Sequence, residues 1–133
     1  MSVYVTDTHP LVWFTLNEQR KLSKPALHVF ENALSGNAYI HVPAMVLYEI
    51  AILEKQRKVV LDNGFWRWTE NLLSETGFGI VHLEPAFIST AAGFSFNGDS
   101  FDKAIVATAV ELSLPLTTRD SAITDSGLVD ILW

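Results

Sequence analysis

The sequence predicts an α/β fold, a three-layer α/β/α sandwich with a central, mainly parallel sheet of about five strands. Two observations carry this. Short β-branched runs alternate with longer stretches of helical period along the chain, and prolines open the helices that follow two of the strands. No internal repeat or linker interrupts the alternation.

The first strand is expected over 3–6, where Val3, Tyr4, Val5 and Thr6 stop at Asp7, and a helix over 9–16 follows. Ser23-Lys24-Pro25 supplies a cap and a first-turn proline for a helix over 24–35, and Gly36-Asn37 ends it. A second strand, 38–42, runs into Pro43 and a helix over 43–57. That helix is apolar nearly all round through Ala44–Leu53, a pattern expected of a largely buried helix. Asn63-Gly64 reads as a turn or stop before a helix over 65–76. The third strand is placed at 79–83, and Pro85 opens a helix over 85–92. After the Asn97-Gly98 break come a helix over 100–113 and strands at 115–118 and 129–132.

At 133 residues the chain is read as one domain, 1–133, large enough to bury a core. With 49% hydrophobic and 18% charged residues it is neither disordered nor of low complexity. No apolar run approaches the roughly 20 residues of a membrane helix, and the first residues lack a basic segment followed by an apolar one. A cytoplasmic protein is therefore expected. Zero cysteines exclude disulfides and thiolate ligands, so any metal must take oxygen or imidazole. A net charge of −6 argues against nucleic-acid binding by bulk electrostatics, while nine Lys and Arg residues remain for local phosphate contacts.

Four acidic residues, Asp7, Glu49, Asp102 and Asp120, each lie in an otherwise apolar stretch. An unpaired carboxylate is costly to bury and needs a cation, donors or a water-filled cleft. In an open parallel sheet, ligands bind beyond the carboxyl ends of the strands. Asp7 ends strand one and Asp120 follows strand four; Glu49 lies on the second turn of its helix and Asp102 in the first turn of its own, so all four can face one edge. Each aspartate also has a plainer reading. Asp99 and Asp102 suit a helix start, Asp120 a turn, and Asp125 a turn only. Glu49, in the middle of an apolar helix, has no such reading. His9 stands beside Asp7 but opens a helix, and is kept at the edge of the site; His28, His41 and His82 have no ligand spacing. Phe65, Trp66 and Trp68 read as one aromatic cluster for core or interface. No glycine-rich phosphate loop, nucleophile elbow or dinucleotide fingerprint occurs.

The blocks Val5–Trp13, Val42–Ala51, Gly98–Ala109 and Leu116–Asp120, with the close at Ile131-Leu132-Trp133, together resemble a PIN domain and, within that group, the VapC-type toxin ribonucleases of toxin–antitoxin operons. The resemblance spans the whole chain and implies the PIN-like sandwich. It implies that Asp7, Glu49, Asp102 and Asp120 form the catalytic and metal-binding quartet, with Asp99, Thr118, His9 and Arg119 beside it. It further implies an endoribonuclease that hydrolyses RNA phosphodiesters, an antitoxin partner and a homodimer. Two departures stand out: the loop before Asp99 is Phe94-Ser95-Phe96-Asn97-Gly98 rather than basic, and Met45 and Val46 stand where a small hydroxyl residue is usual. Oxygen ligands favour Mg²⁺ or Mn²⁺.

A non-cleaving PIN-like module that binds RNA or protein is the alternative, and four mutually repelling carboxylates argue against it. A phospho-accepting regulatory domain is a third reading. It needs an aspartate ending strand three and a lysine after the later strand, and the chain has Glu84 and no lysine after Thr118.

Overall fold

The structure is a computed structural model that describes all 133 residues. Five strands, β1 (Ser2–Thr6), β2 (Ala38–Pro43), β3 (Phe78–Val81), β4 (Leu116–Thr117) and β5 (Ile131–Leu132), form one sheet in the order β3-β2-β1-β4-β5. All four pairings are parallel. Seven α-helices connect them: α1 (Thr8–Thr15) and α2 (Lys24–Leu34) lead to β2, and α3 (Ala44–Lys55) and α4 (Gly64–Ser74) lead to β3. The connection to β4 holds α5 (Pro85–Ala92) and α6 (Ser100–Leu112), and α7 (Ser121–Ser126) leads to β5. No helix is long and apolar enough to cross a membrane.

The chain lays β1, β2 and β3 outward in one direction, then returns to add β4 on the other side of β1. Right-handed crossovers therefore put α1–α4 on one face of the sheet and α5–α7 on the other. The reversal opens a crevice beyond the carboxyl ends of β1 and β4, the place where open α/β sheets bind ligands. The registers Val5↔Leu116 and Thr6↔Thr117 set the two strand ends side by side.

β1 and β2 each run one residue longer than expected, while β3, β4 and β5 are shorter. β4 stops at Thr117 because the next hydroxyl, on Thr118, accepts the Asp120 N–H at 3.0 Å and turns the chain out of the ladder. β3 stops at Val81, opposite Pro43, where β2 itself turns into α3. The sequence reading missed α7, whose six residues are too few to display a period; Asp120 caps its start and Gly127, at φ +66, its end. Asp125 therefore lies inside this helix and does not cap a turn. Asn63, in the left-handed region at φ 62, precedes the start of α4.

A cluster of 24 buried side chains forms the core. Phe30 is its centre on one face, stacked on Phe14 at 4.9 Å and on Phe78 at 6.3 Å. Two expectations need correction. α3 is not largely buried: only Val46, Leu47 and Ile50 are, and Tyr48 is 58% exposed. The helix meets α1, α4, α6 and β2, and most of its remaining residues are half-buried. The proposed aromatic cluster is also divided, since Phe65 lies against Trp68 at 6.3 Å while Trp66 is 77% exposed on the outer face of α4.

The entry to β3 depends on close backbone contact. A Cβ on Gly77 would stand 2.0 Å from the Ala33 carbonyl oxygen at the end of α2, while the Gly77 carbonyl accepts the Ile40 N–H at 2.8 Å. Gly77→Ala must push α2 off the sheet edge, an overpacking that costs about 1–3 kcal/mol. Urea unfolding should show this loss as a lower midpoint with unchanged slope; a wild-type midpoint would contradict the packing described.

Candidate active site

Asp7 is built into the junction of β1, α1 and β4. Its N–H extends the ladder to the Thr117 carbonyl at 3.0 Å, and its extended backbone makes it the N-cap of α1. One carboxylate oxygen accepts the Thr8 N–H at 2.8 Å and the other accepts the Thr118 hydroxyl at 2.7 Å. The carboxylate is only 7% exposed and depends on these donors. Thr8, fully buried in the first turn of α1, turns its hydroxyl outward to donate to Glu49 on α3.

The other two carboxylates are fixed by helix starts. Asp99 and Asp102 form a reciprocal capping box at the head of α6: the Asp102 N–H donates to Asp99 Oδ1 at 2.9 Å, and the Asp99 N–H to Asp102 Oδ2 at 3.2 Å. Asp120 caps α7 by accepting the Ile123 N–H at 2.9 Å. The plainer reading of these aspartates as caps is thus correct, and capping does not take their carboxylates away from the cavity. A cap places its carboxylate at a helix N-terminus, and here those termini open into the crevice.

Asp7, Glu49, Asp99, Asp102 and Asp120 line one cavity of about 390 Å³, with His9 and Arg119 at its wall. The structure thus brings together every acidic residue singled out from the sequence, and Asp99 lines the cavity with the four. Thr118 acts from beneath, through Asp7. Sequence reading missed Thr8, Pro10 and Trp13. Pro10 and Trp13 line the cavity, and Thr8 orients Glu49. Helical spacing holds the signal for Trp13, which lies four residues after His9 and so on the same face of α1.

Crowding shows in the acidities. Burial pushes the Asp7 carboxyl above its ordinary value, opposed by the Thr118 and Thr8 hydrogen bonds and by His9, and reinforced by Asp120. Glu49 is raised chiefly by burial, with Thr8 opposing and the Asp7 and Asp99 charges adding. Asp102 is pushed up to about 7, first by burial and then by the charges of Asp99, Asp7 and Asp120, against the Asp99 N–H bond.

In kind, these residues fit a hard divalent cation: five carboxylates, no thiol, and carboxyl groups whose protons a cation would displace. In position they are not yet gathered. No three of the acidic or imidazole side chains stand close enough to hold one ion together as they are oriented. Local hydrogen bonds account for this, since Asp102 turns to the Asp99 N–H, Asp120 to Ile123 and Glu49 to Thr8.

Ribonuclease VapC22 of Mycobacterium tuberculosis is 30% identical to this chain over 122 residues, which span 90% of this chain and 88% of that protein. The chain belongs to the VapC ribonuclease family. No protein-family model matches it. Among solved structures, VapBC2 from Rickettsia felis, bound to a DNA fragment from their promoter, superposes with a TM-score of 0.68 at 15% identity. It covers 97% of this chain and 96% of its own. A toxin–antitoxin complex from Klebsiella pneumoniae gives 0.63 at 15% identity, over 98% and 96% of the two chains. At such identity the likeness is one of fold, and it is the PIN-like sandwich that the sequence implied.

The raised pKa values of these carboxyls set the pH dependence of this VapC-family chain's stability. Between the ordinary carboxylate value of 3.8 and about 7 for Asp102, the folded state binds more protons than the unfolded chain. The contribution of Asp102 to stability is therefore full at low pH and lost as pH rises through about 7. Thermal unfolding in chelator should show Tm falling over this window, with a smaller fall in Asp102→Asn. Identical pH profiles for the wild type and Asp102→Asn would contradict this account.

Proposed function

We propose that this protein is an endoribonuclease that hydrolyses RNA phosphodiester bonds with Mg²⁺ or Mn²⁺, and that it is the toxin of a toxin–antitoxin pair. One observation carries the reading: carboxylates from four separate segments line a single cavity at the sheet's switch point, in a chain 30% identical to a ribonuclease over 90% of its length.

Asp7 and Asp102 would hold the ion directly, Glu49 would be a further ligand or the base that orients water, and Asp120 would act as a ligand through water. A bound divalent ion supplies charge neutralisation and polarises the phosphate. The chain's own residues do the rest. The hydroxyls of Thr118 and Thr8 hold Asp7 and Glu49 in orientation. Water attacks phosphorus in line, its oxygen forming the new P–O bond as the ester P–O bond to the leaving oxygen breaks. Glu49, whose carboxyl burial pushes above its ordinary value, takes the proton from water, and the leaving oxygen takes one from solvent in turn.

Two protein partners fit the surface. Ile88, 50% exposed, lines an apolar groove with Met45, Leu83 and Ala91, a face suited to a second copy of the chain. Leu34, Val60 and Trp66 are exposed elsewhere and suit an antitoxin. The Rickettsia and Klebsiella complexes support such a partner. A cytoplasmic site of action follows from an RNA target.

The test is cleavage of mixed transfer, ribosomal and synthetic RNA by purified protein with Mg²⁺, Mn²⁺ or chelator. Asp7→Asn and Asp102→Asn should each lower cleavage by more than about 100-fold. Burial disfavours the charge at Asp7, so the neutral amide should leave the metal-free Tm unchanged or higher. Full activity in both variants, or cleavage undiminished by chelator, would sink the assignment.

A further inference from the structure

Arg119 is the one Arg or Lys side chain lining the acidic cavity, yet it pairs with none of the five carboxylates there. The protein's only ion pair within 4.0 Å is Lys21 with Glu18. The Arg119 guanidinium instead lies over the indole of Trp13, 4.4 Å from the ring centroid. Trp13 itself is immobile: 8% exposed, in the core, with His9 at 5.8 Å and Trp133 edge-on at 6.2 Å. A guanidinium stacked on a ring covers its apolar face and keeps its in-plane N–H groups free, the fork that grips a phosphate by two hydrogen bonds. It also cannot lose its charge near neutral pH. An acidic cavity repels RNA, so a fixed cation at its wall supplies local attraction that the net charge of −6 denies the molecule as a whole.

We propose that Arg119 is the phosphate clamp of this site, gripping a backbone phosphate of the RNA at the cavity wall, and that Trp13 is the positioning residue that holds it off the carboxylates. This rests on the nuclease reading above and adds the residues that seat the substrate. Trp13 never touches RNA in this account. It acts by keeping the guanidinium from collapsing into an ion pair with Asp120 or Asp99, which would both block the clamp and take up a carboxylate.

The experiment is steady-state cleavage of a single-stranded RNA, as KM and kcat across a salt series, for wild type, Arg119→Met, Arg119→Lys, Trp13→Phe, Trp13→Leu and the Arg119→Met/Trp13→Leu double variant. Arg119→Met should raise KM about ten- to a hundredfold with a smaller change in kcat, and should flatten the plot of log KM against log salt by about 0.7. Lysine keeps the charge without the fork and should restore the salt slope but only part of KM. Trp13→Phe keeps a ring and should stay near wild type. Trp13→Leu should match Arg119→Met and add nothing in its background. A KM and salt slope unchanged in Arg119→Met would overturn the clamp, and a Trp13→Leu effect that persists undiminished in the Arg119→Met background would overturn the positioning role. If Trp13→Leu does not fold, by circular dichroism, a Trp13→Phe variant with a raised KM and flattened salt slope overturns that role instead. A wild type that cuts no RNA with either metal overturns the nuclease reading and this proposal together, whereas wild-type cleavage with an indifferent Arg119→Met overturns this proposal alone.

Discussion

Asp7 is where the architecture and the site constrain each other. Its carboxylate is nearly sealed from water and survives there because two donors converge on it, the first N–H of α1 and the hydroxyl just past β4, while the ladder bond from its own N–H to Thr117 fixes its backbone. Removing either donor leaves a buried carboxylate short of a partner, a larger penalty than the net worth of an ordinary hydrogen bond. The β1–β4 pairing is therefore more than a sheet contact. It aligns Thr118 with Asp7, and the same Thr118 hydroxyl receives the Asp120 N–H, so one side chain ties together two of the acidic groups.

Around this junction the chain uses helix capping to hold charge where charge is unfavourable. Asp7, Asp99 and Asp120 each cap a helix, and Asp102 completes the box at α6. Helix N-termini offer partial positive charge and unpaired N–H groups, which partly offset the mutual repulsion of the carboxylates. The offset is incomplete, as the raised pKa values of Asp7, Glu49 and Asp102 show. In the proposed function a divalent cation would relieve that residual strain.

The same economy governs the cavity wall. Arg119 is flanked in sequence by Thr118 and Asp120, so β4 delivers a donor, a cation and a carboxylate within three successive positions. A free guanidinium there would neutralise the site it borders. The indole of Trp13 offers it a different resting place, and Trp13 can do so because it is anchored in the core between α1 and the C-terminal Trp133.

The sequence by itself determined the alternation of strands and helices, the absence of any thiolate from the site and the identity of the four acidic residues that line the cavity. These are local properties: β-branched runs, proline starts, and single charges in apolar surroundings can be seen within a few residues. It did not show α7, too short for a period, nor the partial burial of α3, because an apolar helix reads the same whether its neighbours cover it or not. Nor did it reveal Thr8 and Trp13, a threonine and a tryptophan that look like ordinary helix and core residues until Glu49 and Arg119 are seen against them. Only the tertiary structure decided those roles. They depend on the strand order β3-β2-β1-β4-β5, which brings residues 7 and 118 into hydrogen-bond contact across 111 positions of chain, and pairing at that range is set by how the layers pack, not by any local pattern.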